Sequence, residues 1–172
     1  MGKRFNNKGF SLMELIISIG IIASVLAGAI SLISMSFSSV QVGKSRVVAL
    51  GLVQEGLEIV RNIRDNNWLA GKRDVGSWRD GLGETASQQP WRVQYNSLSL
   101  LSPATGQPLK INTNGFYQYN SGADTVFYRN IDIEYIDNNK IKITCQVDWR
   151  AGKRSGSVNA ETILYNWLEP QE

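Results

Sequence analysis

The chain contains no histidine. That excludes a Ser-His-Asp or Cys-His nucleophile system, a histidine metal site and an imidazole pH switch. It contains one cysteine, Cys145, which excludes an internal disulfide and a cysteine-cluster zinc or iron–sulfur site. Only four prolines occur and the first is Pro90, so no proline interrupts a helix in the first half of the chain. Charge is also sparse: 19% of the residues are charged, below the ~25% of typical soluble domains. With 172 residues the chain is long enough for one domain and an appendage. Most enzyme chemistry is disfavoured on these grounds, and no catalytic residue, cofactor or metal-ligand set is expected.

What charge there is lies unevenly. Lys3, Arg4 and Lys8 open the chain, and no acid appears before Glu14. With those three set aside, 15 of the 18 basic side chains remain against 15 acidic ones. The excess of +3 therefore belongs to a nine-residue tip. A nucleic-acid surface needs Lys and Arg clustered on the folded part, and no such block is present, so nucleic acid is not an expected partner.

The 29 residues from Leu15 to Gly43 carry no formal charge, and the run is strongly apolar as far as Phe37. As a helix it would span roughly 43 Å, more than the ~30 Å hydrocarbon core of a bilayer. It is too long for the apolar part of a cleaved secretory signal, which runs about 7–15 residues. A membrane-inserting helix is expected. Glu14 stands at its mouth. A carboxylate deep in a bilayer costs on the order of 3 kcal/mol, whereas one at the edge can sit among headgroups, and position alone leaves both readings open.

The residues Lys8-Gly9-Phe10-Ser11-Leu12-Met13-Glu14-Leu15-Ile16 closely resemble the type IV prepilin signal shared by pilins and secretion pseudopilins. Basic leader, Gly, Phe, Glu and apolar run all fall in register. The resemblance implies that a membrane-embedded prepilin peptidase cuts between Gly9 and Phe10 and that Phe10 is then N-methylated. It also implies that Glu14 sets register during assembly by facing the N-terminal amine of a neighbouring subunit. Physically, an α-amino group with a pKa near 7.7–8.0 is mostly charged at neutral pH, and a buried charge is tolerable when it is paired.

Further along the same helix Gly20, Ser24 and Gly28 recur every four residues, as do Ala23, Ala27 and Ser31. Small residues at this spacing let helices approach closely in lipid, although Gly and Ala are common in membrane helices generally. Many pilins carry a helix-kinking proline here. This chain has none, so Gly20 and Gly28 are the obvious weak points.

Beyond Val42 the pattern becomes amphipathic, with Ala49, Leu50, Val53, Leu57, Val60 and Ile63 at helical spacing. Glu58–Arg61 and Arg61–Asp65 can pair across one turn. One helix from Phe10 to Trp68 would be 59 residues, roughly 88 Å. The stretch from Gln54 to Asn62 also resembles the corresponding segment of minor-pilin-type proteins. Residues 69–110 read as loop, punctuated by glycines and prolines, with a possible short strand at Trp91–Tyr95. Three strands are then expected at Val126–Ile136, Lys140–Arg150 and Ser157–Trp167, with a turn at Asp137–Asn139 and a loop at Ala151–Gly156. Their strict alternation predicts an antiparallel sheet with one buried face, covered by the apolar stripe of the helix.

The expected fold is therefore α+β and pilin-like: a long N-terminal helix packed on a C-terminal antiparallel sheet. Its divisions are a basic leader over residues 1–9, a membrane and assembly half over 10–40, an amphipathic half over 41–68 and a globular head over 69–172. Smaller signals point mostly to structure. Cys145 falls on the apolar face, as a buried inert thiol would. Gly81-Leu82-Gly83-Glu84-Thr85-Ala86 matches a nucleotide-loop string but follows no strand. Asp74, Asp80 and Glu84 lack the spacing of a calcium loop. The five tryptophans all lie at or beyond Trp68 and read mainly as core.

The resemblance implies a non-catalytic filament subunit. Its partners would be the prepilin peptidase, other pilin subunits, an inner-membrane assembly platform and, before assembly, membrane lipid. It would start in the bacterial inner membrane as a single-pass protein and end in an extracellular or periplasmic filament. A minor pilin of a type IV pilus is preferred to a type II secretion or DNA-uptake pseudopilin. The rival of another class is a single-span anchored protein whose extracytoplasmic β-domain binds a ligand. Basic residues on both sides of the apolar run, Lys3, Arg4 and Lys8 against Lys44 and Arg46, leave topology open.

Overall fold

The structure is a computed structural model, and it describes residue 9 and residues 11–83, 90–102, 106–152 and 154–168. The chain forms two compact units, residues 1–43 and 44–172. One helix, α1 (Leu12–Leu69), runs through both. Its 58 residues meet no proline, and glycine alone does not stop a helix.

Among the described residues of the first unit α1 is the only element, and it is long and apolar enough to cross a membrane. Its apolar side chains, from Leu12 to Phe37, are exposed throughout. Three of its serines bond back onto the helix: Ser24 Oγ donates to the Gly20 carbonyl at 2.8 Å, Ser36 Oγ to that of Leu32 at 2.9 Å and Ser39 Oγ to that of Met35 at 3.2 Å. A hydroxyl bonded to its own backbone can enter lipid without an unpaired donor.

In the second unit the rest of α1 lies against an antiparallel sheet of three long strands, β4 (Phe127–Asp137), β5 (Lys140–Ala151) and β6 (Arg154–Tyr165), in that order. Phe127, Ile131 and Ile133 on β4 alternate with polar neighbours, as do Ile141, Ile143, Cys145, Val147 and Trp149 on β5. These side chains meet Ala49, Leu52, Val53, Gly56, Ile59, Val60 and Ile63 of the helix in one core. The expected stripe holds at Ala49, Val53, Val60 and Ile63 and is turned at its edge. Leu50 is 44% exposed and Leu57 only half-buried, while Leu52, Gly56 and Ile59 face the sheet. The sheet selects the face with the closest approach, and Gly56 sets it. A Cβ there would lie 2.7 Å from Cys145 Sγ and 3.1 Å from Arg129 Cδ. Of the two expected helix ion pairs, Arg61 joins Glu58, whereas Asp65 takes Arg64 at 2.8 Å.

Two corrections concern the strands. The last begins at Arg154 rather than Ser157, because Ala151 pairs directly with Arg154 across Gly152, whose φ of 62° suits a tight turn. It ends at Tyr165, before Asn166, whose side chain leaves the ladder to accept from Trp68 Nε1 at 3.0 Å and donate to the Arg73 carbonyl at 2.9 Å. The Trp149 indole lies across Gly156 on the neighbouring strand, where any Cβ would enter the ring.

Residues 69–110 contribute more than a loop. Trp78 in a 3₁₀ turn (Ser77–Arg79), Leu82, Val93, Leu100 and Leu109 are all buried. The possible strand at Trp91–Tyr95 reduces to two bridges, Trp91 to Ile131 and Arg92 to Leu101. A second small sheet joins β1 (Lys110–Ile111), β2 (Tyr117–Gln118) and β3 (Ala123–Asp124), with β1 in the middle.

Candidate processing and assembly site

Gly9 is exposed and in no regular element, and Ser11 follows with its carbonyl accepting the Leu15 amide at 3.1 Å. Phe10 and the leader before Gly9 lie outside the described residues. Because α1 opens at Leu12, Glu14 falls in its first turn, exposed. A carboxylate there is favoured by the unpaired N–H groups and positive end of the helix dipole. The sequence thus puts the acid where the helix tolerates it best, at the boundary of the apolar run.

Gly20, Ser24 and Gly28 follow each other at four-residue steps along the exposed helix. A Cβ at either glycine would meet nothing within 4 Å, so this face is open, and the Ser24 hydroxyl is already turned back onto Gly20. Such a face offers backbone to a neighbouring helix without an unpaired donor.

The remaining candidates resolve into packing. Cys145 is buried, and its thiol is pushed up to about 12, chiefly by burial, with Arg129 opposing and Glu55 reinforcing the rise. A thiol held protonated is a poor nucleophile and metal ligand. Gly81 and Gly83 adopt φ of 76° and 81°; Gly83 lies against the Trp91 ring and its carbonyl accepts from Tyr135 Oη. Glu84–Ala86 of that string lie outside the described residues. Asp80 is paired with Lys72 at 2.9 Å, and Asp74 offers its carbonyl to the amides of Ser77 and Trp78. Among the described residues no three His, Cys, Asp or Glu gather as a metal site. Four tryptophans are buried, and Trp167, at 68% exposure, packs edge-on to Trp68.

One polar cluster escaped the sequence reading. Arg129, on the inward face of β4, is fully buried. It donates from Nη1 to the Leu52 carbonyl at 3.1 Å and from Nη2 to the Val93 carbonyl at 2.6 Å, with Glu55 Oε1 3.4 Å from Nη1. Tyr119 Oη donates to the Arg129 carbonyl at 3.1 Å, and burial raises the Tyr119 pKa against the pull of Arg129 and Arg92. The parity of β4 already assigned position 129 to the apolar face, which was the available signal. The cluster fastens helix, sheet and the 91–95 segment together and has no reactive group.

Residues 4–30 match the family model of the prokaryotic N-terminal methylation motif. The chain therefore carries the type IV prepilin-like signal, and with its apolar helix it fits a membrane-anchored, type IV pilin-like or pseudopilin precursor, a class of structural subunits processed by prepilin peptidase. No curated protein and no solved structure matches the chain.

Proposed function

We propose that the chain is a minor pilin of a type IV pilus, without catalytic activity of its own. Prepilin peptidase cuts between Gly9 and Phe10 and Phe10 is N-methylated. The subunit waits in the inner membrane through residues 10–40 and is passed by the assembly platform into a filament. Residues 41–68 then serve as the stem of a head over 69–172. The observation that carries this reading is the methylation motif over residues 4–30, in register with a helix that begins at Leu12 and holds Glu14 in its first turn.

In this account Glu14 pairs with the methylated amine of a neighbouring subunit, and the small face of Gly20, Ser24 and Gly28 lets helices close on each other. Charge pairing in an apolar filament core governs register more than net stability. Glu14→Ala is therefore expected to be cleaved like the parent yet to be depleted from sheared filaments, with the mature protein accumulating in the membrane. Wild-type recovery of Glu14→Ala in the filament fraction would remove the assembly role.

A further inference from the structure

We propose that the outward face of the head sheet, beside the β5–β6 hairpin, is a binding groove for neutral, hydroxyl-rich saccharide chains. The groove measures about 700 Å³, within the range of roughly 300–1,000 Å³ of small-ligand sites, whereas the cavity beside Arg79 and Tyr135 and the one beside Trp68 and Trp167 are each below half that size. Its floor is built by register. Tyr128, Asp148 and Ser157 form one row across three strands, Arg150 and Ser155 form the next, and Asn130 lies on the other side. Its wall is Gly106–Gln107. That wall is fixed by the Arg92 Nη1 bond to Gln107 Oε1 and by the Leu109 amide on the Phe127 carbonyl at 2.8 Å.

The chemistry of the floor selects the ligand class. Phenol, amide, carboxylate, guanidinium and two hydroxyls stand side by side, a mixture of donors and acceptors. Planar carboxylate and guanidinium groups can each engage two adjacent hydroxyls. The half-buried Tyr128 ring offers an apolar surface to the C–H face of a sugar. Asp148 is held in place by Gln146 Nε2, at 2.9 and 3.1 Å from its two oxygens, so little ordering remains when a ligand arrives. Within the lining itself Asp148 and Arg150 are of opposite sign, so the floor carries no net charge of its own. An extended peptide adds to a sheet by its edge, through backbone groups, whereas this face presents side chains.

Filament assembly plays no part in this inference; a chain that never assembles would bind equally. The test uses the full chain in micelles of a detergent without a sugar headgroup. The probes are cellohexaose, maltohexaose and chitohexaose, with a sulfated oligosaccharide and an acidic peptide as comparisons, read by saturation-transfer NMR and titration. At least one neutral oligosaccharide should bind. Its affinity should fall about tenfold or more in Asp148→Ala, the loss expected for a charge-assisted contact. It should fall likewise in Ser157→Tyr, which fills the groove from an exposed position on β6 without touching the core. Glu161→Gln, on the same face beyond the groove, should bind as the parent does. Binding confined to the sulfated sugar or the peptide would overturn the proposal, as would no binding at all or binding unchanged in both groove variants.

Discussion

Gly56 of the helix stands so close to Cys145 of β5 that a Cβ at position 56 would lie 2.7 Å from the sulfur. That contact sets how near α1 comes to the sheet. Alanine at position 56 gains about 1 kcal/mol of helix propensity, yet overpacking a tight core costs about 1–3 kcal/mol. Arg129 Cδ, 3.1 Å away on a pinned side chain, cannot easily yield. Gly56→Ala should therefore lose about 1 kcal/mol net, and Gly56→Ala/Cys145→Ala should recover part of it. Thermal melting of the sheet signal in micelles reads both, and a Gly56→Ala variant melting at or above the parent temperature would refute the close contact.

Arg129 should be the most sensitive polar residue of the head. Its removal strands the Glu55 carboxylate and leaves the Val93 carbonyl buried without its donor. Glu55 keeps 32% of its side chain exposed and can be hydrated, so the cost is chiefly that of the unpaired Val93 carbonyl, on the order of 1–3 kcal/mol. Lysine should not restore it, since one ammonium cannot span the Leu52 and Val93 carbonyls as the guanidinium fork does. A double-mutant cycle of Arg129→Met with Glu55→Gln should show a coupling above about 0.5 kcal/mol; additive losses would mean that the 3.4 Å approach carries no energy.

The buried thiol gives the head an alkaline limit. The Cys145 pKa rises from 9.0 to about 12 on folding, so between those values the unfolded chain has released a proton that the folded one keeps. Its contribution is complete below about pH 9 and is lost as pH climbs towards 12, by about 1.4 kcal/mol per pH unit at most. Stability measured from pH 8 to 10.5 should fall less steeply in Cys145→Ala than in the parent. In the folded protein at pH 8 a thiol reagent should label Cys145 only at the rate of unfolding; rapid labelling would contradict its burial.

The sheet was legible because its strands alternate over eleven or twelve residues: Ile141 to Trp149 spell out which face is buried. The helix was legible from its uncharged run and the motif before it. Its buried stripe was legible at Ala49, Val53, Val60 and Ile63 but not at its edge, because Leu50 and Leu52 look equivalent by hydrophobicity, and only the fit of Gly56 against Cys145 decides between them. The strands of two residues at Lys110, Tyr117 and Ala123 are too short to show any period. Trp78, Leu82 and Leu109 lie in irregular backbone, where burial follows from packing and not from pattern. At the candidate site, Gly9, Phe10 and Glu14 were readable as a string within the motif that the family model matches over residues 4–30.

The most direct test of the account is the mass of the N-terminal peptide from the membrane-extracted protein of its own host. The account predicts a chain that begins at Phe10 and is heavier by one methyl group. A chain that still carries Lys3, Arg4 and Lys8, in cells with an active prepilin peptidase, would contradict it and leave an anchored sheet domain in place of a filament subunit.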